Sequence, residues 1–470
     1  MALRPSLFVA LAVPIMAAAA AAQTVDPGKA AGASPRTDYA LTNARIVTAP
    51  GKVIERGTVI IRNGRIAAVG ANVAIPAGVT RMDLSGSSVY PGLIDAATSV
   101  ALPSPTRALP AQPGAPAAQA AGGRGAGPPA GGRGGGAGGR GAAAASPVPP
   151  VVLPELDAGA EAVDMFEPTE EQLRAFRAGG VTTVGLVFDG GLFPGRVGAA
   201  LTSPPVETNI KLRPAAGQVV AFGRNREGYP GTGIGAVAFI RQAFLDAQYE
   251  GRLDAAMKKG VPGAPRPSND PFTRALVPAA TNEMPAWFLA STEREITRAT
   301  DIAAEMGLKG PVIVGTREGW RRLENLKRSG ALAVVSLDWP SVESITGRAF
   351  LAVGNGRSGE APAPTAADTA EIRGNAAALA RAGIPVAFAS FGGESGNAFR
   401  DRIRLSIAAG MSPDDALKAA TVTPAQVLGV SSSVGTIEPG KLANLLVVSG
   451  NDLFAAQNPI RQVFIEGRIY

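Results

Sequence analysis

Histidine and cysteine are both absent from the 470 residues of this chain. Without imidazole or thiolate there is no His- or Cys-ligated zinc site, no Ser-His-Asp or Cys-His nucleophile and no disulfide. Any chemistry therefore falls to Asp, Glu, Lys, Arg, Ser, Thr or Tyr. Aromatic residues make up only 5% of the chain. Past the N-terminal segment, no apolar run reaches the ~18 residues of a membrane helix, so no transmembrane anchor is expected. A basic footprint is lacking as well. The formal charge is +7, but setting aside Arg4, Arg107, Arg124, Arg133 and Arg140 leaves +2. A nearly neutral folded part speaks against nucleic acid as a partner.

What is present falls into segments. Residues 1–22 carry Arg4, an apolar run from Leu7 to Met16 and an alanine run before Gln23. That order reads as a signal peptide, so an exported, periplasmic or extracellular protein is expected. Of the 48 residues in 103–150, 37 are Gly, Ala or Pro. Such a stretch buries too little apolar area to offset the entropy of ordering it, and reads as a disordered insertion. Its Gly-Arg-Gly pieces have no interleaved aromatics for base stacking.

Residues 38–90 read as short strands, with Asn63-Gly64 as a hairpin turn. From about residue 151 helices alternate with short apolar strands. Thr169 and Gln172 form a capping box, and strands are expected over 181–187, 312–314, 331–337 and 384–389. Fully buried strands between helices indicate a parallel sheet, and this length suits an α/β fold of the TIM-type (β/α)8 barrel. An open doubly wound sheet is the alternative, but no glycine-rich dinucleotide fingerprint follows a first strand. Strands return near 443–448 and 462–465. The expected division is a β-sandwich from 38–90 plus 431–470 and a barrel over 91–430.

Four stretches carry a resemblance. They are Val89-Tyr90-Pro91-Gly92-Leu93-Ile94-Asp95, residues 178–184 (AGGVTTV), 416–429 (ALKAATVTPAQVLG) and 434–447 (VGTIEPGKLANLLV). Together they resemble the metal-dependent amidohydrolase superfamily, in particular its secreted, imidazolonepropionase-like branch. The resemblance implies a barrel flanked by a small composite β domain, and hydrolysis of non-peptide C–N bonds by zinc or another divalent metal. It also implies an Asp-x-His-x-His strand, which here reads Asp95-Ala96-Ala97-Thr98-Ser99. Ala97 and Ser99 thus stand at the two His positions. Later ligand positions match Gly315, Ser336 and Phe391. None of these five residues replaces an imidazole or a free carboxylate as ligand, so no cofactor is expected.

The remaining candidates are few. Asp95, Asp189 and Asp338 are weak catalytic candidates, as carboxylates at expected strand ends. Arg196 in the glycine-rich loop 190–198, Arg317 and Trp339 are ligand-binding candidates, the arginines for an anion and Trp339 as an aromatic platform. The leading expectation is a non-catalytic binding or partner subunit. Its partner is a small molecule, a peptide or a catalytically competent amidohydrolase relative. One alternative is a hydrolase using carboxylates on a hard metal, or a metal-free Asp base. The other is an envelope interaction protein acting through the Gly/Arg-rich stretch.

Overall fold

The computed structural model describes residues 37–103, 157–204, 210–223, 230–339, 366–391 and 398–470. The expected signal peptide and all but the first residue of the Gly/Ala/Pro stretch lie outside the described residues.

The chain opens with five strands: β1 (Tyr39–Ala49), β2 (Lys52–Arg62), β3 (Arg65–Gly70), β4 (Thr80–Asp83) and β5 (Ser87–Pro91). Asn63 and Gly64, at φ of 51° and 76°, make the expected tight turn between β2 and β3. One peptide later begins β6 (Leu93–Thr98), the first strand of a second sheet.

That sheet continues through β7 (Val181–Leu186), β8 (Arg196–Leu201), β9 (Lys211–Ala221), β10 (Ala286–Ala290), β11 (Val312–Gly315), β12 (Leu332–Ser336) and β13 (Val386–Ala389). The eight strands lie in chain order and curl into a nearly closed barrel with helices on its outside. These helices are α1 (Glu170–Ala178), α2 (Gly233–Lys258), α3 (Pro271–Ala280), α4 (Glu293–Glu305), α5 (Leu323–Ser329) and α6 (Ala366–Arg381). After β13 come α7 (Phe399–Ala408), α8 (Pro413–Ala420) and α9 (Val422–Val427). Capping boxes open α1 at Thr169 and α4 at Thr292, each satisfying N–H groups that the helix itself leaves unpaired.

One strand departs from the expected alternation. β8 runs antiparallel to both β7 and β9, while the other sequential pairs are parallel. The cause is length. Residues 187–195 are all that join β7 to β8, and a parallel crossover needs a dozen or more residues. The chain must therefore turn straight back. The stretch 190–198, expected to be a loop leading to a helix, instead runs from Arg196 onward into β8. Gly195 sits at φ +139°, and a Cβ there would lie 2.5 Å from the Ala160 carbonyl oxygen. Its glycine serves the sharp turn.

The last strands, β14 (Leu445–Ser449), β15 (Ile460–Ile465) and β16 (Arg468–Ile469), return to the first sheet. β14 pairs antiparallel with β5, setting Leu446 opposite Tyr90. Both chain ends thus build one eight-stranded sheet, which encloses its own apolar core of Leu41, Ile46, Val59, Val89, Val447 and Phe464. A larger core fills the barrel and the space beneath its helices.

Candidate functional site

In a barrel of this kind the C-terminal ends of the strands form the mouth where sites are built. Asp95 lies on β6 and is completely buried. A register shift between Asp95 and Thr98 interrupts the regular pairing of β6 with β7 as the strand nears the mouth. Asp95 Oδ1 accepts the backbone N–H of Ser390 at 2.9 Å and that of Ala97 at 3.2 Å. Its Oδ2 accepts the Ser390 hydroxyl. Burial pushes the carboxyl from 3.8 up to about 7, against the opposing pull of these three hydrogen bonds.

The five positions matched to ligands in the resemblance have other duties. Ala97 is buried and offers a methyl group; Ser99 is half-buried just past β6. Gly315 ends β11 at φ +99°, and a Cβ there would lie 2.3 Å from Ser291 Oγ. No side chain is accommodated at that point without movement. Ser336 Oγ donates to the Phe391 carbonyl at 2.6 Å and accepts the Asp338 N–H at 3.2 Å. Phe391 itself packs its ring against the barrel core.

The three Asp candidates do not converge. Asp338 faces Arg317 at 3.4 Å, and burial lowers the Arg317 guanidinium below its ordinary range although Asp338 opposes this. Asp189 is exposed on the connection from β7 to β8. Among the described residues no three carboxylates gather in a way that could hold a metal ion. Arg196 turns away from the glycine-rich loop. It donates to the Ala275 carbonyl on α3 at 3.0 Å and lies 3.9 Å from Glu161. Trp339 is buried, and both its carbonyl and that of Leu337 accept from Arg402, at 3.4 and 2.9 Å. It fills the rim instead of standing open as a platform.

Two rim residues were not among the sequence candidates. Ser390 contacts Asp95 across 295 positions of chain, and no spacing rule announces such a pair. Asn375, fully buried on α6, donates to the Thr316 carbonyl at 2.6 Å and accepts the Trp320 N–H at 3.0 Å, fixing the loop after β11. An Asn within an alanine-rich stretch was its one signal in the sequence. A cavity of about 210 Å³ lies at the other end of β13, lined by Pro385, Val386, Met411, Lys418 and Gln426.

Comparison with known proteins bears on this arrangement. The model of the Amidohydrolase family matches residues 362–470, and that of the NagA composite domain matches residues 39–89. No curated protein matches the chain. Among solved structures, an amidohydrolase from Thermotoga maritima MSB8 is similar at 21% identity and a TM-score of 0.65, covering 92% of this chain and 99% of that one. A phenylurea hydrolase B is similar at 15% identity and TM-score 0.52, covering 92% and 97%. A Xaa-Pro dipeptidase with methionine bound in its active site is similar at 14% identity and TM-score 0.50, covering 92% and 100%. At these identities the likeness is one of fold. One family model thus matches the composite sheet at one end, the other matches the barrel's last strand and the returning strands, and the chain shares the fold of solved amidohydrolases.

Proposed function

We propose that this chain is an exported amidohydrolase-fold protein that does not perform the metal-dependent hydrolysis of its superfamily, and that it acts by binding a small molecule, a peptide or a catalytically competent relative. A catalytic divalent metal needs about three protein ligands and an open position to bring its bound water near neutral pKa. The donor set at the mouth does not fit that requirement. The chain has no imidazole, and the matched positions offer a methyl group, hydroxyls, a glycine and a phenyl ring. The observation that carries the reading is the state of Asp95. It is the buried carboxyl nearest these positions in the sequence, and Ser390 and Ala97 already occupy both its oxygens.

The test is the metal content per chain of residues 23–470, purified without chelator or affinity histidines. Turnover of amides, lactams, a Xaa-Pro dipeptide and a phenylurea is assayed in parallel. The last two are taken from the names of the similar structures. The expected result is no bound metal and no turnover above the protein-free control. About one metal per chain together with hydrolysis overturns the reading.

A second reading is favoured by one observation, the carboxyl of Asp95 at about 7, which is where a general base works best at neutral pH. It is a metal-free hydrolase with Asp95 as base, and it requires chelator-resistant turnover that Asp95→Asn removes. An envelope interaction role for the Gly/Arg-rich stretch is tested separately, by deleting residues 103–150 and measuring partner capture.

A further inference from the structure

A nearly closed sheet leaves a seam, and here the seam lies between β13 and β6. Among the described residues no backbone hydrogen bond crosses it, although the two strands lie side by side. Elsewhere round the mouth the neighbours are tied directly. Val187 N–H reaches the Thr98 carbonyl at 2.9 Å, and Thr316 N–H reaches that of Ala290 at 3.0 Å. The Thr316 hydroxyl spans to Val334 at 3.4 Å, and Leu337 N–H to Ala389 at 2.8 Å. A buried N–H at an open seam needs an acceptor from somewhere. Asp95 supplies one from a side chain: Oδ1 takes the N–H of Ser390 from beyond β13 and that of Ala97 from its own strand.

We propose that Asp95 and Ser390 form a latch that closes the barrel seam by side-chain hydrogen bonds and that loosens as the pH rises. The same two oxygens serve both proton states, because the Ser390 hydroxyl donates to an ionised carboxylate and accepts from a protonated one. What changes is the cost of a buried charge. Among the described residues no charge compensates it. β7, β12, β13 and α9 carry no ionisable side chain. Among the side chains described, the charged residues on the other elements packed against β6 and β13 are Glu371, Arg373 and Arg381 on α6 and Asp414, Asp415 and Lys418 on α8, and none of these shifts the proton affinity of Asp95. The neutral latch is the tight one.

The experiment compares the full chain with Asp95→Asn and Ser390→Ala. Thermal midpoints are recorded from pH 4 to pH 9, and amide hydrogen exchange is followed at Ala97 and Ser390. Asn keeps the Oδ1 acceptor and offers its N–H to Ser390 Oγ without a charge. The unmodified chain should lose thermal midpoint as the pH rises from about 4 to about 7 and level off above that, and Asp95→Asn should flatten that loss. Ser390→Ala should speed exchange at the seam by about 10- to 100-fold, with the β10–β11 ladder unchanged. Identical pH profiles for the chain and Asp95→Asn overturn the latch, and so does unaltered exchange in Ser390→Ala. The latch rests on the reading that no metal bridges the mouth. A drop in midpoint on adding chelator would overturn that reading by a separate signal.

Discussion

The composite sheet and the barrel mouth differ in how closely their residues follow the amidohydrolase motifs that the sequence resembles. In the sheet, the Asn63-Gly64 turn, the β5–β14 pairing and the Leu445 to Val447 core strand are all in place. At the mouth, the matched ligand positions carry groups that bond to the protein itself or to nothing polar. The difference separates two kinds of requirement. Sheet positions serve folding, which every member needs; mouth positions serve one reaction, and a fold does not fix its reaction. In the reading proposed here, strand ends that hold no metal must still satisfy buried backbone groups. Ser336, Ser390 and Asp95 do so.

The sharpest way to break the comparison is to titrate the mouth. Asp95 holds its proton up to about 7 when folded, against 3.8 when unfolded. A raised folded value means that the stabilising proton is fully present below about pH 4 and lost as the pH rises through 7. Over that window the chain should lose about 4 kcal/mol, an upper figure for so buried a group. Urea unfolding at pH 4.5, 6 and 8 measures it, and Asp95→Asn should remove most of the dependence. The sheet, with no completely buried carboxyl, supplies no matching term.

Restoring a ligand is the next largest perturbation. Gly315→His puts a β-carbon against Ser291 and a bulky residue at φ +99°. The expected cost is about 2–5 kcal/mol, from strain plus overpacking. Thermal unfolding measures it, and an undiminished midpoint would show that the mouth still accepts an imidazole there.

The sequence disclosed the two regions unequally, for a physical reason. Turns, caps and buried strands depend on local residue types, so Thr169, Asn63-Gly64 and the strands near 181–187 and 312–314 were legible. Strand segments at both ends pointed to the joining of the two chain ends, and the motif resemblance implied the same composite domain. The reversed strand β8 was missed because its stretch is rich in glycine, and glycine serves a phosphate loop and a reverse turn equally well. Arg196 was read as a free cation for the same reason, since nothing local announces that Ala275 and Glu161 engage it. Asp95 was legible as a candidate position, but its partner Ser390 lies too far along the chain to be inferred.

Away from the mouth, Arg177 offers a smaller effect. It is fully buried at the end of α1, pairs with Glu170, donates to the Thr202 carbonyl at 2.9 Å and lies 4.7 Å from the ring centre of Tyr470, just beyond β16. Arg177→Met keeps most of the volume but leaves the Thr202 carbonyl and Glu170 without this partner. The expected cost is about 2–3 kcal/mol, because Glu170 is partly exposed and regains water. Chemical denaturation measures the loss.

The smallest effect tests the legible part of the fold by itself. Thr169 Oγ1 accepts the Gln172 N–H at 3.2 Å, and the Gln172 side chain returns a bond to the Thr169 N–H at 2.9 Å. Thr169→Ala removes the first of these and leaves the second. It should cost about 1 kcal/mol, with no change between pH 4.5 and 8. That constancy is the point of the variant. A pH-dependent loss at Thr169 would mean that the seam and the outer helices open together, and that the mouth is not a separately tunable region of this barrel.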